Sequence, residues 1–289
     1  MLKEFENYLK KQKLSANSIS SYIFDLKQYI KYYDDTYGEK LVQLIDTDIQ
    51  MYVSYLKNRL NRKPTSINRS LTSLKAYNAF LIENNIQANT VISKRDYIKI
   101  QTNYSKTDIP EEKIVMQILH AASLNKRDYC VLVLASYGGF RESELVSFEI
   151  THIHLKERFI EVFGKGNKYR TVVINDLMYK ALERYLEERQ QLKTTSPYLF
   201  VGKKTNSVGG KPLCRNFVNR IVTKYCNELE IDKEMHPHLL RAFFCTNAYY
   251  KAGYTLVQIA SQAGHSNIDT TRRYIDSKRD NLQELANKL

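Results

Sequence analysis

In the last third of the chain His238 and Arg241 stand three residues apart, Gly264 precedes His265, and Tyr274 follows that histidine by nine positions. Upstream, Arg141 and Lys165 add two further cations. Guanidinium, ammonium and imidazole groups gathered around one phenol suit the chemistry of a phosphodiester. They can hold the charge that builds in its transition state while the tyrosine oxygen attacks phosphorus. Nothing in that scheme calls for a metal ion, a nucleotide or another cofactor.

Taken singly, each residue also has a plainer reading. Arg141, in YGGFRESEL, sits where two glycines let the backbone turn and present a guanidinium at a helix start, with paired donors for phosphate oxygens. It could equally be a surface arginine. Glu144 lies three residues on, on the same helix side, and can orient a cation of the site from behind. Lys165 occupies the tip of a hairpin turn, GKGNK, from which a side chain with increased acidity could protonate a leaving oxygen. The same letters simply make a good turn, and Lys168 and Arg170 are rival reaching cations. His238 and Arg241 share one helix face, His265 follows a turn-forming glycine, and Tyr274 is one of 22 tyrosines. Arg272 and Arg273 beside it are expected to favour its phenolate. His236 and His238 form an H-x-H pair with no carboxylate or cysteine at a spacing that would complete a metal site.

The elements that must position these groups follow from hydrophobic periodicity. Ile19, Tyr22, Ile23, Leu26, Tyr29 and Ile30 recur at steps of three and four, so residues 18–30 form an amphipathic helix. Thr47 and Gln50 have the spacing of a capping box ahead of Ile49, Tyr52, Val53 and Leu56, and another helix spans 66–82. Polar faces carrying Lys57, Arg59, Arg62, Lys63, Arg69 and Lys75 give this bundle a basic side. Periodicity fails from about 91 to 107, which reads as a linker, and Asp108-Ile109-Pro110 looks like an N-cap and helix start opening a second domain. There, an apolar helix at 127–136 ends at Gly138-Gly139, three short strands (HIHL, RFIEVF, RTVVI) are joined by turns, and five helical stretches follow. The fold expected is mainly α with a small antiparallel sheet in a catalytic domain.

The 289 residues are enough for two cores. Lys and Arg number 44 against 31 Asp and Glu, a formal +13, which points to a polyanionic partner. Cys130, Cys214, Cys226 and Cys245 form no C-x-x-C pair, so neither a zinc site nor a disulfide framework is expected. No run approaches the ~20 apolar residues of a membrane span, and a reducing cytoplasmic setting is expected.

In order, R-x-x-E, G-K-G-N-K-x-R, H-x-x-R and G-H with a tyrosine nine residues later form a pattern that resembles the tyrosine recombinases, or phage integrase family, and most of all the two-domain Xer-type and mobile-element members. The motifs cover roughly residues 130–275. The resemblance implies that Arg141, Lys165, His238, Arg241 and His265 surround a scissile phosphate which Tyr274 attacks, giving a 3′-phosphotyrosyl link and a free 5′-hydroxyl. Arg141 and Arg241 would hold the non-bridging oxygens, Lys165 would protonate the 5′-oxygen, His238 would manage the tyrosine proton and His265 would donate another hydrogen bond. It further implies a core-binding domain at 1–90, a linker at 91–107 and a catalytic domain at 108–289, the two domains clamping double-stranded DNA that carries inverted-repeat half-sites. Four copies would hold two sites and exchange strands through a Holliday junction, with an accessory or second recombinase protein as a further partner. Leu282, Leu285 and Leu289 give the tail, from about 278, the stripe of a helix that docks on a neighbouring copy or on its own domain. The chain departs from the family pattern at Ala242, where a histidine is usual, and at Gly138, where a threonine is usual. A type IB-like topoisomerase shares the chemistry, and a non-catalytic DNA-binding protein could share the frame.

Overall fold

The computed structural model describes residues 1–100, 108–164, 168–192, 194–202, 213–214 and 216–276. The chain divides into two compact units, Met1–Asn103 and Tyr104–Leu289.

The first unit is helical. Helix α1 (Leu2–Lys11) packs with α2 (Ala16–Tyr37), where the Ser15 hydroxyl accepts the Ser18 N–H at 3.2 Å and Gly38 closes the far end at φ +69°. Helix α3 (Asp46–Ser54) runs on into one wide π-turn, Tyr55–Arg59, before α4 (Pro64–Glu83) starts with proline in its first turn. Phe5, Leu26, Tyr29, Ile49, Ile67, Leu71 and Leu74 form its core. The expected Thr47–Gln50 capping box is not formed. Asp46 and Asp48 enter the first turn of α3 instead, where carboxylates meet the positive helix end, and Gln50 Nε2 donates to Asp46 at 3.2 Å.

The stretch expected as a linker also differs at its beginning. Ile92 is fully buried, and Val91, Tyr97 and Ile98 pack on the first core. Two asparagines of α4 satisfy the backbone there: Asn78 accepts the Val91 N–H at 2.9 Å, while Asn68 exchanges two 2.9 Å hydrogen bonds with Ile98. Residues 91–98 therefore belong to the first unit.

In the second unit α5 begins at Glu112 and ends at Ala122, later than the Asp108 start expected, because Glu111 is its N-cap and Asp108 instead meets Lys233 at 2.7 Å. Helix α6 (Lys126–Tyr137) is apolar on nearly every side and runs through the core, beside α8 (Asp176–Gln191) and α9 (Phe217–Glu228). Strands β1 (Ile153–His154), β2 (Phe159–Gly164) and β3 (Lys168–Val173) form an antiparallel sheet in that order, with Val162 opposite Arg170. Ile160, Val162 and Val172 turn into the core. A smaller cluster, Phe244, Cys245, Ala248, Ile259, Ala263 and Ile275, holds together α10 (Pro237–Tyr250), α11 (Leu256–Ala263) and α12 (Ile268–Asp276).

Candidate active site

Two glycines aim backbone carbonyls at the arginines of the site. Gly139, at φ +65°, lies flat on Phe244, whose ring a Cβ would approach to 2.4 Å, and its carbonyl accepts Arg241 Nη1 at 2.7 Å. Gly264, at φ +69°, closes α11 and turns its carbonyl toward Arg141 Nη2. A Cβ on Gly264 would lie 2.7 Å from the Arg170 guanidinium, so no larger residue fits without moving that group.

Arg141 is the residue before helix α7 (Glu142–Ser147). Its backbone N–H donates to Glu144 Oε2 at 2.7 Å and its Nη1 to Glu144 Oε1 at 2.9 Å, so the carboxylate fixes both the helix start and the side chain. Arg241, on α10, is 3% exposed and also donates Nη2 to the Ala263 carbonyl at 2.7 Å. Burial and the neighbouring charge of Arg141 pull it down to about 10, which leaves it cationic at neutral pH. Its partner in the H-x-x-R motif behaves differently. His238 is an exposed side chain in the first turn of α10, its ring 6.2 Å from that of His236.

His265 follows Gly264 and meets the Thr271 hydroxyl through Nδ1 at 2.7 Å. Burial first, then the charges of Arg241, Arg141 and Arg170, push the imidazole down to about 3, so the ring is neutral. Tyr274 lies beside it on α12, ring centroids 6.0 Å apart. Its phenol is raised, not lowered as the adjacent arginines led one to expect. Burial against the small α10–α12 cluster outweighs the opposing charges of Arg241, Arg141 and Arg273. The phenolate is disfavoured until its proton has somewhere to go.

Arg141, Arg241, His265 and Tyr274 are thus brought together, with Glu144 behind them. Lys165 and the tail helix expected from about 278 lie outside the described residues. Sequence reasoning misjudged Arg170, which does not reach outward. Its Nη1 and Nη2 clasp both oxygens of Glu144 at 2.9 and 2.8 Å, and its Nε donates to the Gln262 carbonyl at 2.9 Å. Period two along β3 puts Arg170 on the face of buried Val172, the signal that could have found it. Burial pushes the Glu144 carboxyl up, but the hydrogen bonds and charge of Arg170, with those of Arg141, prevail and hold it below the usual range. Thr271, fully buried, was missed as well, and no local pattern marks it. All four cysteines are free, and among the described residues no cluster of His, Cys, Asp or Glu is placed to hold a metal ion. No helix among them is long and apolar enough to cross a membrane.

Comparison with known proteins places the chain in a family. Residues 108–281 match the model of the phage integrase family and residues 2–85 that of the phage integrase N-terminal SAM-like domain. The chain is 39% identical to a TnP I resolvase of Bacillus thuringiensis over 99% of its own length and 98% of that protein. It is 28% identical to the tyrosine recombinase XerD of Staphylococcus haemolyticus, covering 100% and 97% of the two chains. Its fold is similar to that of XerH site-specific recombinase bound to a palindromic difH substrate (TM-score 0.76, 18% identity, 99% and 84% covered). It is also similar to a lambda integrase dimer bound to a COC′ core site (TM-score 0.73, 14% identity, 96% and 95% covered). Motif order, the arginine-lined site around one tyrosine, and these matches agree that the chain belongs to the phage integrase family, the tyrosine recombinases.

Proposed function

We propose that Tyr274 is the nucleophile with which this site-specific recombinase cuts and rejoins DNA. The observation that carries the reading is the meeting of Arg141, Arg241 and His265 with Tyr274 from four separate segments of one unit. The phenol oxygen attacks the scissile phosphorus as the bond to the 5′-oxygen breaks, leaving a 3′-phosphotyrosyl ester and a 5′-hydroxyl. Attack of another 5′-hydroxyl reverses the step, so religation needs no ATP.

Each charged group has a distinct task. Arg141 and Arg241 spend one N–H of each terminal nitrogen on carbonyls or carboxylate, and the remaining N–H groups can take the non-bridging oxygens. Placed side by side, the two guanidiniums repel until the phosphate enters, which favours the increasingly anionic transition state. In the tautomer whose Nδ1 accepts from Thr271, neutral His265 carries its proton on Nε2 and donates it in a hydrogen bond to the phosphate. His238 takes the phenol proton, and Lys165 supplies one to the departing 5′-oxygen. The first unit contributes DNA contacts, and four copies hold two sites.

The test is a nicked duplex carrying a cognate inverted repeat, built so that the fragment next to the cut diffuses away. Wild type should accumulate a covalent protein–DNA adduct without magnesium, and Tyr274→Phe should give none. Adduct from the phenylalanine variant would falsify the assignment.

A further inference from the structure

The last carbonyls of α11 are shared among three arginines. Gln262 O accepts from Arg170, Ala263 O from Arg241 and Gly264 O from Arg141, so three guanidiniums from β3, α10 and the start of α7 converge on the negative end of one short helix. Two of them are the phosphate ligands of the reaction above. The third is different. All three nitrogens of Arg170 are engaged, its side chain is 12% exposed, and its plane lies against Gly264, one residue before His265.

We propose that Arg170 is a positioning residue for strand cleavage, acting on the phosphate through Arg141 and the His265 turn without touching DNA. This rests on the Tyr274 reading. Its fork holds both oxygens of Glu144, and that carboxylate in turn holds the backbone and the guanidinium of Arg141. Its Nε fixes the backbone at Gln262, two residues before the glycine that carries the Arg141 acceptor and starts the His265 turn. A single side chain therefore sets the place of one phosphate donor directly through Glu144 and of a second through the end of α11. Lysine could keep the charge but not the three-point geometry. Through the same contacts Arg170 ties β3 to the phosphate donors.

The experiment compares single-turnover adduct formation on two nicked duplexes, one with an ordinary scissile phosphodiester and one with a methylphosphonate there. The methylphosphonate has lost one non-bridging oxygen and its charge, so it depends less on well-placed guanidiniums. Arg170→Met should slow cleavage of the phosphodiester roughly 10- to 100-fold, as loss of an orienting partner does elsewhere, while DNA affinity changes by less than about threefold. On the methylphosphonate the gap to wild type should shrink to about threefold or less, and Arg170→Lys should not restore the phosphodiester rate. The double variant Arg170→Met with Glu144→Gln removes the buried charge left behind; it should regain melting temperature without regaining cleavage. Equal losses on both substrates, or recovery of cleavage together with stability, would reduce Arg170 to a folding role and overturn the proposal. An unchanged rate would overturn it too. Failure of wild type to form any adduct would instead remove the Tyr274 reading on which the proposal stands.

Discussion

Asp25 in the first unit and Glu144 in the second are both buried carboxylates facing arginine, and the two are shifted in opposite directions. In the first, Asp25 on α2 is 2% exposed and accepts Arg69 Nη2 at 2.7 Å and the Ser73 hydroxyl at 2.8 Å. Burial raises its carboxyl despite Ser73 and Arg69, because one half-exposed guanidinium does not replace the lost water. In the second, Glu144 meets two arginines through four hydrogen bonds and is lowered. The first arrangement ties two helices together. The second holds three guanidiniums near one another and keeps them oriented, which costs stability unless the carboxylate stays ionised.

The pH consequences run opposite ways. Glu144 contributes stability in full above its unfolded pKa and loses it as pH falls through the lower folded value. Asp25, with its folded value raised, stabilises below the unfolded pKa and loses that contribution as pH rises through the folded one.

The sharpest way to break this comparison is Glu144→Gln. Removing the anion strands Arg170 without its charge partner, and urea unfolding at pH 7 should show a loss of about 3–5 kcal/mol, together with slower cleavage. A loss below 1 kcal/mol would mean that the pair is no more than a surface contact.

Next in size is a matched pair of glycines. Gly38 and Gly264 both close helices at φ +69°, but a Cβ on Gly38 meets nothing within 4 Å whereas one on Gly264 meets Arg170. Gly38→Ala should cost about 1–2 kcal/mol of backbone strain and leave DNA cleavage alone. Gly264→Ala should cost at least as much and also impair cleavage. Equal behaviour of the two in both assays would break the link between that turn and the chemistry.

His265 supplies a smaller, pH-dependent effect. Above pH about 6.5 both folded and unfolded imidazoles are neutral; below it only the unfolded ring takes a proton until about pH 3. Stability therefore falls with falling pH by at most about 1.4 kcal/mol per pH unit, less whatever solvent screens, and His265→Phe should flatten that part of the profile. An unaltered slope would contradict a neutral, half-buried imidazole.

The smallest effect belongs to the first unit. Asp25→Asn can accept Arg69 Nη2 through its carbonyl oxygen and donate its amide N–H to the Ser73 hydroxyl, and it relieves a buried charge, so its cost at pH 7 should stay below about 1 kcal/mol in the same urea assay. A cost like that of Glu144→Gln would make the two sites equivalent.

How much of this was legible beforehand depends on what holds each element. Helices α2 and α4 follow from apolar residues at steps of three and four, and the hairpin follows from alternation broken by glycines. Arg141, Arg241, His265 and Tyr274, which the structure brings together, stood out in the sequence because their order and spacing repeat a family pattern. What escaped was held by polar side chains acting on distant backbone: Asn68 and Asn78 anchoring residues 91–98, Arg170 reaching the end of α11, Thr271 setting the His265 contact. Such bonds follow no period. The Tyr274 expectation failed for a related reason, since neighbours in sequence show the arginines but not the burial that outweighs them.

The central claim is that one phenol among 22 tyrosines forms the covalent link. Trypsin digestion of the wild-type adduct isolates residues 274–278, YIDSK, in which Tyr274 is the only tyrosine. Mass spectrometry should find the nucleotide on that peptide, joined through its 3′-phosphate. A nucleotide on any other peptide would contradict the account.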